Sequence, residues 1–218
     1  MKGRPASARA VAISGSPRSP SRSKTLAELM LKALAARGCE TRLVDLAVLS
    51  ADALLARVQA AELDEAIAAV GEAGIVIAAT PTYRALYTGL LKALFDLMPQ
   101  GHLKGKFRVP LQTGIAREHS LAVEYGLRPL FMSLDGIPLA GIYARDEEFT
   151  EGLAEISCAP RDLVQALNAL LHRRVCAEEG REVHLPEWVH DEQVRDRRVD
   201  LHRPGARVVL QLLECAGE

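Results

Sequence analysis

The stretch Ala10-Val11-Ala12-Ile13-Ser14-Gly15-Ser16-Pro17-Arg18-Ser19-Pro20-Ser21-Arg22-Ser23 decides how this chain is read. Its small and branched apolar residues make a strand, which breaks at Gly15 into a loop of hydroxyls and arginines. An Ala/Leu-rich helical pattern then runs from Lys24 to Arg37. A strand that opens into such a loop and then a helix is suited to hold a phosphate. The hydroxyls and loop amides donate hydrogen bonds and the arginines supply charge. The helix start adds free N–H groups and the positive end of its dipole. The competing reading of the same residues is an N-capping serine cluster with solvated arginines.

Two other phosphate loops are excluded. A P-loop ends in Gly-Lys-Ser/Thr, whereas Ser23 precedes Lys24 here. A dinucleotide fingerprint needs three spaced glycines, and Gly15 stands alone. Phosphate held mainly by serine and arginine suits a mononucleotide, above all flavin mononucleotide (FMN).

Working outward, apolar runs alternate with helical patterns. Glu40 to Leu46 reads as a second strand, and Ala51 to Glu72 as two short helices broken near Ala60. Gly74 to Ala79 is apolar on both faces, which places it in the middle of a parallel sheet covered by helices. Leu90 to Met98 is helical and stops at Pro99 and Gly101. Phe107 to Gln112 is a fourth strand weakened by Pro110, and His119 to Leu134 a fourth helix that Pro129 should kink. Leu139 to Ala144 makes a fifth strand and Pro160 to Ala177 a closing helix. This rhythm predicts a doubly wound α/β fold, with a five-stranded parallel sheet in the order 2-1-3-4-5 and helices on both faces. The ligand belongs at the carboxyl ends of strands one and three, where the order reverses.

Composition narrows the function. A formal net charge of −1 argues against nucleic acid as a partner. No apolar run reaches membrane-spanning length, and the start lacks a signal-peptide core, so no membrane partner is expected. Cys39, Cys158, Cys176 and Cys215 form no CxxC pair, which leaves zinc and dithiol chemistry unsupported and makes the cytoplasm the expected compartment. His184, His190 and His202 lack metal-ligand spacing, so no metal is expected. Residues 179–218 change character, with charge clusters and Pro204. They read as an extension that packs on a partner subunit or stays partly mobile, anchored by Trp188.

The exit of strand three, Thr80-Pro81-Thr82-Tyr83, is a second candidate loop: proline stiffens the turn and tyrosine can lie along a flat ring. Gln112-Thr113-Gly114 leaves strand four at the same edge. With the first loop they outline one pocket. Spare arginines at its mouth (Arg18, Arg22, Arg84 and Arg117) suit the 2′-phosphate of NADPH, or serve solubility alone. His119 at a helix start is either a pocket residue or a capping or interface histidine.

Taken together, Gly15-Ser16-Pro17-Arg18 with Ser21-Arg22-Ser23, then Thr80 to Tyr83 with Gly89 to Pro99, then Thr113-Gly114, resemble the NAD(P)H-dependent FMN reductases. The similarity is greatest to those that feed alkanesulfonate monooxygenases, and it runs from about Ala10 to Ala177. It implies a flavodoxin-like domain over residues 8–178. It also implies FMN and NADPH as cofactors, and an FMN site of Ser16, Pro17, Arg18, Ser21, Arg22, Ser23, Pro81, Thr82, Tyr83, Arg84, Thr113 and Gly114.

The run His119 to Pro129 matches further, and implies that Tyr125 bulges its helix beside a subunit contact in a homodimer or homotetramer. Surplus apolar residues along Leu90 to Met98 and Leu121 to Leu134 agree with a subunit face. One departure is Ile115, where relatives carry a second glycine. The implied reaction is hydride transfer from nicotinamide C4 to flavin N5, which needs no side-chain acid or base, so no catalytic residue is expected. The reduced flavin would then supply a partner monooxygenase. Alternatives are a flavoprotein that holds FMN tightly and reduces quinones, azo compounds or metal ions, a flavodoxin-type electron carrier, and an α/β binding protein.

Overall fold

The computed structural model describes residues 9–149 apart from Arg37, Ile137 and Ala140. The expected closing helix, the 179–218 extension, Trp188 and three of the four cysteines lie outside the described residues.

Five strands form one parallel sheet: β1 (Arg9–Ser14), β2 (Glu40–Asp45), β3 (Ile75–Pro81), β4 (Phe107–Gly114) and β5 (Ile142–Arg145). Their order is β2-β1-β3-β4-β5, as the alternation of apolar runs predicts. β3, buried along nearly its whole length, occupies the centre. β2 is exposed or half-buried at every position but Val44, as suits an edge strand. In sequence order the chain steps from β1 to β2 on one side, then crosses to β3 on the other. The connections at the carboxyl ends of β1 and β3 therefore diverge and leave a crevice between them.

Helices cover both faces. On one, α1 (Arg22–Ala35) packs Leu26, Ala27, Met30 and Leu34 onto Ala12, Ile77 and Val109. On the other, α3 (Ala61–Glu72), α4 (Gly89–Leu97) and α5 (Arg128–Met132) bury Val70, Leu94 and Phe131 against Val11, Ile13 and Val76. The Phe95 and Phe131 rings meet edge to face at 5.5 Å. Between β2 and α3 lies the one-turn α2 (Ala51–Leu54), and Ala60 caps the start of α3, so the helical region divides where its periodicity lapses.

Three expectations need correction. Pro110 does not weaken β4, which runs eight residues through it and pairs on both sides. Phe107 donates to Gly74 and Thr113 accepts from Thr82, both toward β3. By alternation Pro110 turns its missing donor toward β5, which begins only opposite Leu111, so no ladder bond is lost. β5 itself starts at Ile142 rather than Leu139. Leu139 instead makes a single bond to the Arg108 carbonyl, at 2.8 Å, before regular pairing begins.

The long helix expected from His119 to Leu134 is composite. A 3₁₀ turn spans Arg117–Ser120, a π turn spans Val123–Leu127, and α5 follows with Pro129 in its first turn. Pro129 has no N–H for the Tyr125 carbonyl, so an α-helix would lose a bond at this level. The widened turn lies just before it, centred on Tyr125, where the family resemblance puts a bulge.

Candidate functional site

Three loops at the carboxyl rim are tied to one another through their backbones. Gly15 donates to the Ala79 carbonyl of β3 at 2.7 Å, and its own carbonyl accepts from the Thr88 hydroxyl at 2.6 Å. Thr88 is buried, and the same hydroxyl caps α4 by accepting from the Leu91 N–H. A Cβ at Gly15 would lie 3.0 Å from Leu91 Cβ, so the first loop passes α4 more closely than a side chain ordinarily allows. On the other side, both the N–H and the hydroxyl of Thr82 donate to the Thr113 carbonyl, at 2.7 and 2.9 Å. Gln112 Nε2 in turn donates to the Thr82 hydroxyl at 3.0 Å. The three regions singled out in the sequence thus share one rim.

In the first loop the Arg18 N–H donates to the Ser16 hydroxyl at 3.1 Å, and Ser16 is buried. Ser21 is the N-cap of α1, yet its side chain caps no helix N–H. Its hydroxyl lies 3.0 Å from that of buried Ser23. No acidic residue stands in the first turn of α1, and the Arg18 guanidinium makes no ion pair among the described residues. A helix start with free amides, two adjoining hydroxyls and an unpaired arginine fits a phosphate monoester. Pro17 is exposed beside them. Arg22, the first residue of α1, instead reaches Asp146 just beyond β5 at 3.3 Å, which ties the phosphate loop to the far edge of the sheet.

Lys24, two residues further in the first turn of α1, pairs with Asp45 at the end of β2 at 2.7 Å. The hydrogen bond to that carboxylate raises its pKa, against the opposing effect of burial.

The second loop ends in a tight hairpin. Tyr83 and Leu86 exchange both backbone bonds, at 2.8 and 3.1 Å, around Arg84 and Ala85. Those two residues are left-handed, with φ of +50° and +67°. For non-glycine residues such a conformation costs roughly 1–2 kcal/mol each. The turn holds Tyr83, 41% exposed, and the Arg84 side chain at the rim.

In the third loop Gly114 is enclosed by polar groups. A Cβ there would meet the Tyr143 hydroxyl at 2.5 Å, Thr82 Oγ1 at 2.9 Å and His119 Nδ1 at 3.2 Å. Tyr143 fastens the loop by donating to the Ala116 carbonyl at 2.7 Å. Burial, helped by the Asp146 and Glu148 carboxylates, pushes its phenol up to about 12. His119 does not cap the 3₁₀ turn, whose N-cap is Ala116, so the capping reading is set aside. Ile115 stands fully outward, and Arg117 is exposed beside it.

Ser14 Oγ, Gln112 Oε1 and His119 Nδ1 are buried without hydrogen-bond partners among the described residues, all at this end of the sheet. Unsatisfied polar atoms collected at one rim are what a polar ligand site leaves behind. The residues present therefore fit a flavin nucleotide, with Ser16, Arg18, Ser21 and Ser23 at the phosphate end. Pro81, Thr82, Tyr83, Thr113 and Gly114 lie at the carboxyl ends of β3 and β4. No group of acidic, histidine or cysteine side chains among the described residues could hold a metal ion.

Sequence reasoning missed Thr88, Tyr143 and Asp146. A threonine directly before Gly89 and the start of α4 is a capping signal that could have revealed the first. Nothing local marks the other two.

The strand order defines a flavodoxin-like α/β fold, with a polar rim at its switch point. The family model for NADPH-dependent FMN reductases matches residues 8–150. FMN reductase (NADPH) of Pseudomonas putida is 37% identical over 166 residues, covering 74% of this chain and 82% of its own length. The NADH-dependent FMN reductase SfnF, also of Pseudomonas putida, is 34% identical over 149 residues, 66% of this chain and 80% of that protein. Among solved structures, the apo form of the NADH:FMN oxidoreductase EMOB superposes with a TM-score of 0.68 at 34% identity, over 87% of this chain and all of that one. The chain belongs to the NADPH-dependent FMN reductase family, and it is an oxidoreductase.

Proposed function

We propose that the rim formed by the Ser16–Ser23, Pro81–Arg84 and Thr113–Gly114 segments binds FMN and NADPH together and reduces the flavin. FMN supplies the redox chemistry, accepting a hydride from the nicotinamide. What the chain contributes is binding, orientation and a fixed polar frame. The single observation that carries the reading is the double tie, Thr88 to Gly15 and Thr82 to Thr113, which holds phosphate end and ring end in one rigid frame.

Within that frame Ser16, Arg18, Ser21 and Ser23 take the phosphate with the α1 amides, and Pro17 lines the loop. Arg22 closes the same loop through Asp146. Tyr83 covers the ring, and the backbones of Pro81, Thr82, Thr113 and Gly114 border its polar edge. Arg84 and Arg117, exposed and free of ion pairs among the described residues, take the coenzyme's 2′-phosphate. No side chain needs to move a proton.

The resemblance over His119 to Pro129 supports a flavin-dependent monooxygenase as the consumer of the reduced flavin. It also supports a homodimer or homotetramer with Tyr125 at a contact; that side chain is 78% exposed, and Leu121 and Met132 are exposed on neighbouring turns. No helix of the described residues is long and apolar enough to cross a membrane, and the wide spacing of the four cysteines, with no CxxC pair, supports the cytoplasm.

The test is coenzyme oxidation with and without added FMN, NADPH and NADH run in parallel. Oxidation that requires FMN and is faster with NADPH is expected. An absence of FMN-dependent turnover with either coenzyme would overturn the assignment.

A further inference from the structure

The π turn at Val123–Leu127 bears on the site through one residue. Gly126, on its buried side, leaves a notch: a Cβ there would lie 3.0 Å from Leu86 Cδ2 and 3.4 Å from the Tyr87 ring. Leu86 is the closing residue of the Tyr83–Leu86 hairpin, so its side chain rests where residue 126 has none. The hairpin is then held at both ends. Thr82 anchors one end to Thr113 on β4, and the Leu86 seat anchors the other. Between them lie the left-handed Arg84 and Ala85. Non-glycine residues keep that conformation only where the surroundings over-determine it. Two backbone bonds and the seat provide that constraint.

We propose that Gly126 and Leu86 are a positioning pair: the notch in the π turn sets the height of the hairpin, and so where Tyr83 meets the flavin ring. This rests on the reading of Tyr83 as a flavin contact. Neither residue touches the reacting atoms; both act through the hairpin.

The pair is tested by crowding the notch and then relieving it. In Gly126→Ala the new methyl presses on Leu86, and in Gly126→Val more so. FMN affinity, read by quenching of flavin fluorescence, is expected to fall about threefold and then about tenfold, since small misplacements of a binding group carry such penalties. Melting of the flavin-free protein should hold steady or rise for Gly126→Ala, because alanine favours helix over glycine. A merely structural role would lower melting and leave affinity among the folded molecules unchanged.

The Leu86→Ala/Gly126→Val double variant frees the crowded space and should bind FMN more tightly than Gly126→Val alone. If Gly126→Val does not fold, Gly126→Ala with and without Leu86→Ala decides the matter. FMN affinity equal in wild type and in the folded Gly126 variants would overturn the seat and leave the flavin reading standing, as would a failure of Leu86→Ala to restore it. Wild-type protein that fails to quench FMN would overturn the flavin reading itself.

Discussion

Tyr143 shows how one side chain records its surroundings. Its phenol is drawn out of water beneath the third loop and faces carboxylates, so its pKa is pushed up to about 12. The folded state therefore holds this proton more tightly than the unfolded chain. Its stabilising contribution is complete below pH 10 and is lost as pH rises from 10 toward 12. Absorbance titration at 295 nm should show one tyrosine ionising near 12, and Tyr143→Phe should remove that step. Lys24 works in the same direction, since its bond to Asp45 raises its pKa and its contribution is lost above 10.5. Lys106 opposes them: burial, with Arg108 nearby, lowers its pKa, so deprotonation relieves the fold on the alkaline side.

The loop arginines divide by partner. Arg18→Gln should weaken FMN binding by about tenfold or more, the loss of one charge-assisted contact to phosphate. Arg22→Gln should cost much less and should be matched by Asp146→Asn, since each removes the same half-exposed ion pair. Titration of the three variants with FMN checks both statements. Equal losses for Arg18→Gln and Arg22→Gln would show Arg22 to be a direct phosphate ligand.

The Tyr83–Leu86 hairpin is the element whose backbone departs most from its sequence. Two-residue hairpins of this hand favour Asn-Gly, and here Arg84-Ala85 fill the left-handed positions. Ala85→Gly should therefore leave thermal stability unchanged or raise it by up to about 1 kcal/mol, whereas Ala27→Gly inside α1 should lower it by about 1 kcal/mol or more. Differential scanning calorimetry of the two variants distinguishes the cases. At the other loop, Gly15→Ala puts a methyl against Leu91 Cβ, which cannot rotate away. A loss of roughly 1–3 kcal/mol in urea unfolding, together with weakened FMN binding, is expected.

In the molecule as a whole, buried Arg108 joins the two ends of a long excursion. Only 5% exposed, it donates to the carbonyls of Leu103, before β4, and Asp135, after α5. Burial lowers its pKa without neutralising a guanidinium. Arg108→Leu would take a donor from both carbonyls and should cost about 2–4 kcal/mol, read as a lower urea midpoint at unchanged slope. The arginine gives no sequence-level sign of this role, because both acceptors are backbone carbonyls and one of them, Asp135, lies beyond α5.

What could be read before any coordinates were local in origin. The continuous apolar run at β3, the helical period of α1 and the break at Ala60 depend on neighbours within a few residues, and they sufficed for the strand order and the crevice. The three candidate loops were legible because hydroxyls, proline and glycine punctuate strand ends. The chain alone left open which way Pro110 turns its nitrogen, that Arg22 would find Asp146, and that Leu86 would rest over Gly126. Each of those outcomes depends on groups distant in sequence meeting at contact distance. Such encounters are settled by sheet register and helix phase, which only the folded arrangement defines.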